Sequence, residues 1–182
     1  MKKLISVLVC MLILALAASC AYAVEEDPVK LAANSKAVQQ MLDSYNFDYE
    51  VRGDNNDVIT LEMNLEGDIE TATCWIFVYD YGVHFQADYD TRCPSSRRDE
   101  MSAYLIRENF DLKMTSYYMD YDEGLVGSQY FLYTDEKVPE QDSLRTGFAL
   151  TVGSLEDISC GVVMVLDGES AEYAYQQNPD NQ

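Results

Sequence analysis

Basic side chains and histidine are scarce in this chain. Its 182 residues include 12 lysines and arginines against 32 aspartates and glutamates, and His84 is the single histidine. The formal net charge of −20 argues against binding to nucleic acid or to an anionic lipid surface, because both need clustered lysine and arginine. One histidine also leaves few combinations for a catalytic group that uses an imidazole base. We therefore expect no nucleic-acid partner and no catalytic residues.

Cysteine is too sparse for a disulfide scaffold. Beyond residue 23 the chain has only Cys74, Cys93 and Cys160, an odd number without a CxxC pair. A bridge between Cys74 and Cys93 stays open, since sequence alone does not establish the geometry that a disulfide needs. The spacing of Cys74, His84 and Cys93 also lacks the tight pairs of zinc modules. We expect no metal ion and no cofactor.

Carboxylates are so abundant that no pair of them identifies a catalytic or calcium site. Asp88 with Asp90, and Asp120 with Asp122, place two acids on the same side of a predicted strand, and residues 54–57 spell Asp-Asn-Asn-Asp. None of these groups has the glycine and the distal glutamate of a calcium-binding loop. We interpret all three as solvated turn residues.

Residues 1–23 have the pattern of a bacterial secretory signal. Two lysines precede an apolar run over 4–18, which is shorter than the ~20 residues that a bilayer span needs. Ala21 and Ala23 then supply small residues at the positions that a signal peptidase requires. We predict a signal peptide over 1–23, cleaved after Ala23, and a protein that is secreted or held at the cell-envelope exterior without inserting into the membrane.

Two alternatives to free secretion remain. Residues 16–20 match a loose lipobox that would make Cys20 a lipid-modified N-terminus, and an uncleaved N-terminal anchor is the other. We favour plain cleavage because Ala17 stands where a lipobox usually has leucine. Loss of the two N-terminal lysines takes the formal charge from −20 to −22.

The rest of the chain predicts a single α+β domain over 24–168 and a disordered polar tail over 169–182. The predicted elements are a helix over 28–45, strands over 47–51, 58–65, 71–79 and 83–89, a helix from 94–96 to 109, strands over 112–121 and 125–133, and a long helix from 140 to 166. Short turns between the strands indicate an antiparallel sheet, because parallel strands need longer crossovers.

Local signals set the ends of several of these elements. Asp27 and Pro28 are typical of a helix start, and Ser96 with Asp99 has the spacing of a capping box. Three glycines weaken the long helix, so residues 161–166 have a strand as an alternative. Gly124 occupies the positive-φ place of the predicted hairpin turn.

Three strings carry a family resemblance together with the order α-β4-α-β2-α. They are WIFVYDYGV at 75–83, IRENF at 106–110 and DEGLV at 122–126. Over about residues 28 to 168 the chain resembles the YbjN-like family, which has the fold of type III secretion chaperones. The resemblance implies an acidic domain that binds proteins, often as a dimer, with no catalytic residues to carry over. Chaperones of that fold work in the cytoplasm, so the export signal is a departure from the pattern and the client is not transferred.

Tyrosines concentrate in the second hairpin and give the candidate binding site. They are Tyr117, Tyr118, Tyr121, Tyr130 and Tyr133. Alternating tyrosines pack across strands, yet tyrosine is also enriched at protein interfaces. We predict an exported, non-catalytic protein-binding domain of chaperone-like or regulatory type, with an unknown protein partner or a second copy of the chain. The alternative is a secreted hydrolase or enzyme inhibitor with an acidic surface, which a deep cleft containing His84 or converging carboxylates would favour.

Overall fold

The structure is a computed structural model that describes residues 26–112, 114–134 and 137–179. Its elements are α1 (Pro28–Ser44), β1 (Glu50–Arg52), β2 (Val58–Asn64), β3 (Thr71–Tyr79), β4 (Gly82–Tyr89), a 3₁₀ turn (Ser95–Arg97), α2 (Arg98–Asp111), β5 (Ser116–Asp120), β6 (Leu125–Tyr133), α3 (Gln141–Leu166) and α4 (Ala171–Gln177). The predicted signal peptide and the alternative at Cys20 lie outside the described residues and stay predictions.

The strands form one antiparallel sheet in the order β1-β2-β3-β4-β6-β5. The first four make the predicted meander, and the hairpin of β5 and β6 extends it because β6 pairs with β4. The α+β fold class is confirmed. Gly124 has a φ of 73° in the hairpin turn, where the prediction placed a positive φ. The strand predicted over 112–121 is shorter, at Ser116–Asp120.

Helix α1 begins as the sequence predicts. The side chain of Asp27 accepts hydrogen bonds from the backbone N–H groups of Val29 and Lys30, and Pro28 is the first helical residue. This cap satisfies two N–H groups that have no partner inside the helix. The apolar side chains that α1 buries in the core are those of Leu31, Ala37, Val38, Met41 and Leu42.

Helix α2 begins differently from the prediction, and the capping box at Ser96 and Asp99 is wrong. The chain makes a 3₁₀ turn over Ser95–Arg97 first, so the N-cap is Arg97, which makes no side-chain cap. The Arg97 guanidinium instead donates to the carbonyl oxygens of Val165 and Glu169. This arginine therefore ties the start of α2 to the end of α3.

Helix α3 runs unbroken for 26 residues, so the strand alternative at 161–166 is not realised. It is long and apolar enough to cross a membrane by length and composition, with a mean hydropathy of 1.6 over an 18-residue window. Those apolar residues are used in the core. The buried side chains along it include Leu144, Leu155, Ile158, Val162 and Val165.

The expected disordered tail is wrong over the residues that the structure describes. Helix α4 begins at Ala171, where the Ser170 side chain accepts the Tyr173 N–H, and it packs on α2 and α3. Ala174 is fully buried, and Asn178 donates to the buried carboxylate of Glu108. Seven residues are too few to show a periodic apolar pattern, which is why the sequence did not indicate this helix.

Candidate binding surface

The sheet has a covered face and an open face. Along β3, every second residue from 72 to 78 is no more than 2% exposed, in the same core as the apolar side chains of the helices. Successive side chains of a strand point to opposite faces, so Thr73, Trp75, Phe77 and Tyr79 lie on the other side. All four are partly exposed. We call this second side the open face.

Five rings on and beside the open face form a connected group that we call the aromatic band: Phe77, Tyr79, Tyr81, His84 and Phe131. Phe131 is central, with ring centroids 5.9 Å from Tyr81, 6.1 Å from His84 and 6.2 Å from Tyr79. Phe77 joins through His84 at 5.8 Å. These separations fall in the range at which aromatic pairs attract each other.

The register of the strands and the small size of Gly82 bring the rings of the aromatic band together. His84 lies opposite Phe77 on β3 and opposite Phe131 on β6, which puts the three rings in one cross-strand row. A Cβ at Gly82 would lie 2.6 Å from the Phe131 ring, so only glycine leaves room for that ring to lie across the start of β4. A ring packed over a strand glycine also shields the backbone that the glycine leaves bare.

Several of these rings remain in contact with solvent. Tyr81 is 46% exposed and Phe131 is 42% exposed, and the neighbouring Tyr133 on β6 is 67% exposed. Contiguous exposed apolar groups on a soluble domain mark interaction sites more often than scattered ones do. The aromatic band therefore has the composition of an interface centre.

A groove of about 680 Å³ continues the open face across β1, β2 and β3 beyond the band. The indole of Trp75 contributes to its wall, and the guanidinium carbon of Arg52 lies 6.0 Å from the centroid of that ring. Arg52 also pairs with Glu50 at 2.5 Å. The carboxylates that line the groove are Asp48, Glu50, Glu62 and Asp90.

A buried carboxylate, Asp88, lies on β4 opposite Thr73, which lines the groove. Asp88 is 3% exposed, and its two oxygens accept hydrogen bonds from the Tyr118 hydroxyl and from Gln86. Burial raises the pKa of Asp88, although these two hydrogen bonds oppose the rise. A Cβ at Gly127 would lie 2.5 Å from both Asp88 and Tyr118, so glycine makes this pairing fit.

Asp88 is therefore not the solvated residue that the sequence suggested. Asp90 is exposed as expected and accepts a hydrogen bond from Thr73. The Asp120 carboxylate accepts the N–H groups of Asp122 and Glu123 and so closes the hairpin turn. Among the described residues, no group of three or more histidine, cysteine, aspartate and glutamate side chains could hold a metal ion.

Strand β6 is longer than its edge partner. It pairs with β4 up to Tyr133, whereas β5 reaches only to Gln129. Within the described residues, no strand pairs with the outer edge of β6 over 130–133. A second depression of about 530 Å³ adjoins this edge, and its lining includes Met114 and Phe131.

The five predicted tyrosines do not form one surface. Tyr117 is 6% exposed and Tyr130 packs partly buried against the core, so both belong to the covered face. Tyr118 bonds Asp88 on the open face, and the Tyr121 hydroxyl donates to Asp99. Only Tyr133 lies beside the aromatic band. The tyrosines lie on different faces because successive side chains of a strand point in opposite directions. Counting the tyrosines of the hairpin does not take this alternation into account.

Sequence reasoning missed most of the band. Phe77 and Tyr79 alternate with buried residues on β3, and Phe131 stands between two partly buried residues on β6, so a period of two was the available signal. It became informative only with the register, which places Phe77 and Phe131 on either side of His84.

The polar groups with catalytic potential are engaged elsewhere. His84 Nε2 lies 3.0 Å from the amide oxygen of Gln129. Burial raises the pKa of the Cys74 thiol to about 12 and also raises that of Cys93, so neither thiol is activated as a nucleophile. Cys74, Cys93 and Cys160 are all free thiols, and the disulfide between the first two does not form.

Comparison with protein-family models and with curated proteins gives no match. Among solved structures, the chain is similar to the crystal structure of YbjN, a proposed transcription regulator from E. coli. The TM-score is 0.52 at 15% sequence identity, over 78% of this chain and 92% of that one. At this identity the likeness shows the fold alone, and the fold is the YbjN-like one that the sequence indicated.

Proposed function

We propose that the chain is an exported, non-catalytic domain that binds another protein through the open face of its sheet, in a chaperone-like or regulatory role. The aromatic band is the observation that carries this proposal. Aromatic side chains are enriched at the centres of protein interfaces, where they are large, rigid and amphipathic. The described helices cover the opposite face of the sheet, and the band is left to solvent.

The outer edge of β6, in the second hairpin, supports a binding surface that extends from the aromatic band onto that edge. Its backbone over 130–133 lies beside Phe131 and Tyr133, and a strand edge without a neighbour can pair with an extended segment of another chain. A second copy of this chain is one such partner. Two copies with a net charge near −20 repel each other, so a homodimer would tighten as salt screens the repulsion.

Two further observations support the rest of the proposal. His84 and Asp88 are bonded within the sheet to Gln129 and Tyr118, which leaves them poorly placed for acid–base work. The apolar run and the small residues before Val24 support export. YbjN, whose fold is similar, is a proposed regulator, and this favours a regulatory role over an enzymatic one for the present chain.

Site-specific photocrosslinking tests the proposed surface. A photoreactive phenylalanine analogue at Phe131, in the protein expressed in its own host, should give one dominant adduct, and the same analogue at the exposed Tyr173 on α4 should not. The adduct partner is then purified for binding measurements. Phe131→Ser with Tyr81→Ser should weaken its binding by about tenfold or more, since interface aromatics are frequent hot spots.

A matched pair of substitutions controls for general loss of aromatic surface. Tyr45→Ser with Tyr173→Ser removes rings of similar exposure, 51% and 47%, away from the open face. This pair should leave binding within about twofold. Sedimentation at low and moderate salt identifies the case in which the partner is a second copy. Equal effects of the two pairs, or no adduct at Phe131 together with a monomer at both salt concentrations, would overturn the proposed surface.

A further inference from the structure

We propose that the groove beside Trp75 binds the lysine and arginine side chains of an extended basic segment of the partner. This inference rests on the proposed function, because it names the chemistry that the open face recognises beyond the aromatic band. Trp75 lies two residues before Phe77 on β3, so the groove and the band form one continuous surface.

The lining of the groove suits a cation. Four carboxylates, at Asp48, Glu50, Glu62 and Asp90, stand with one indole and one guanidinium. Tryptophan gives the strongest attraction between a cation and an aromatic face, and nearby carboxylates add a charge-assisted component. Since a single arginine offsets only one of the four acids, the groove keeps an excess of negative charge.

The chain already places a guanidinium in this groove. Arg52 lies 6.0 Å from the Trp75 ring centroid, and its Nε and terminal nitrogen donate to one oxygen of Glu50 at 3.1 and 2.5 Å. Its side chain remains 55% exposed. The groove thus accommodates an arginine against the indole and a carboxylate, and Arg52 competes with any incoming cation for the same contacts.

The negative charge of the protein favours a basic segment in the groove over an acidic segment or a second copy of the chain. The net charge of −20 repels acidic chains and a second copy alike, whereas it attracts a cationic partner from a distance. The groove spans three strands, and along it β2 and β3 pair over five residues, 60–64 with 71–75. Seven extended residues reach about 23 Å, so a short peptide with alternating basic residues is long enough to follow the groove.

Trp75 is the only tryptophan in the chain, so its fluorescence reports on the groove directly. The probe is a synthetic heptapeptide of alternating arginine and threonine, titrated into the purified domain. We expect a saturable change in Trp75 emission with this peptide and none with the same peptide carrying glutamine for arginine. Binding of the arginine peptide without a change in emission would overturn the proposal, because the peptide would then lie elsewhere on the acidic surface.

Two pairs of neutralising substitutions separate local recognition from general charge. Asp48→Asn with Glu62→Gln should weaken the peptide by about fivefold or more, since it removes two charges from the groove lining. Glu140→Gln with Asp167→Asn makes the same charge change at exposed positions outside the groove, and it should have less than about a twofold effect. Equal losses from the two pairs would overturn the proposal.

Removing the internal competitor gives a test of opposite sign. Arg52→Gln should tighten the peptide by about threefold or more, because the indole and Glu50 become free for an incoming guanidinium. Arg145→Gln is its matched control, since Arg145 lies 5.4 Å from the Tyr45 ring centroid and pairs with Asp142 away from the groove. Tightening of similar size in both variants, or weaker binding after Arg52→Gln, would contradict the proposal.

The crosslinking experiment keeps the two proposals distinguishable. An adduct at Phe131 with a partner whose affinity is unchanged by Asp48→Asn and Glu62→Gln would leave the open face as a binding surface and remove the cationic groove. If the band substitutions leave the purified partner's affinity unchanged while the groove pair weakens it, the band is removed and the groove is kept.

Discussion

The two faces of the sheet are built from alternate residues of the same strands, yet they differ in what the fold requires of them. On β4, Val83, Phe85, Ala87 and Tyr89 are at most 1% exposed and complete the core. On the other side the same strand presents His84 and Gln86 only partly covered. An antiparallel sheet with one solvated face usually has polar residues there. The aromatic residues on that face depart from this pattern, and the proposed binding surface accounts for the departure.

The largest expected difference in stability is between substitutions of one phenylalanine on each face, Phe85 and Phe131. Phe85→Ala should lower the free energy of unfolding by about 3–5 kcal/mol, because it leaves a cavity beneath Phe148. Phe131→Ala should lower it by less than about 1 kcal/mol, since that ring is 42% exposed. Urea unfolding of both variants measures the difference. Similar losses from the two substitutions would mean that the aromatic band stabilises the fold and need not serve binding.

A second pair of substitutions tests how tightly the covered side is packed. A Cβ at Gly161 would overlap the hydroxyl oxygen of the buried Tyr104, which donates to the Ile158 carbonyl. Gly161→Ala should therefore cost about 1–3 kcal/mol in unfolding free energy. At Gly153, eight residues earlier in α3, a Cβ would have no neighbour within 4 Å.

Gly153→Ala is the matched control in the same helix. It should stabilise the protein by up to about 1 kcal/mol, because alanine favours the helical backbone. Thermal unfolding measures both variants, and we expect a lower melting temperature for Gly161→Ala and an unchanged or higher one for Gly153→Ala. If Gly161→Ala also stabilises, the close approach of α2 to α3 at Tyr104 is wrong.

The covered face was the predictable part of the fold. Strand candidates bounded by turn residues at 71–79 and 125–133 have ends that agree with the structure, and the recurrence from Leu144 to Leu166 gave the long helix despite its glycines. These patterns arise from burial itself, which acts through a period that one sequence displays. The roles of Asp27 and Gly124 were predictable because each depends on the local backbone, Asp27 as a helix cap and Gly124 at a positive φ.

The open face depends on register and on distant contacts, which a single sequence does not display. Nothing near Phe131 along the chain indicates that His84 and Tyr81 lie beside it. The predicted tyrosine cluster is divided between the two faces for the same reason, because Tyr117 and Tyr118 are adjacent in sequence and belong to opposite faces. Helix α4 depends likewise on tertiary contacts, such as that of Asn178 with Glu108.

The smallest expected effect concerns Asp88, a buried acid of the open face. Asp88 is almost fully buried and has a raised pKa in the folded protein. At a pH below the ordinary aspartate range the residue is protonated in both the folded and the unfolded state. As the pH rises from there toward the raised value, the unfolded chain releases its proton first, so the contribution of Asp88 to stability falls.

Asp88→Asn removes this titration while keeping a carbonyl oxygen that can accept the Tyr118 hydroxyl hydrogen bond. The unfolding free energy of the Asn variant minus that of the parent should therefore increase between about pH 3 and about pH 7. Urea titrations of both proteins across this range measure the difference, and Asp90→Asn, which alters an exposed carboxylate on the same side, should give a smaller change. A difference that stays flat or declines for Asp88→Asn would show that Tyr118 and Gln86 fully compensate the buried charge.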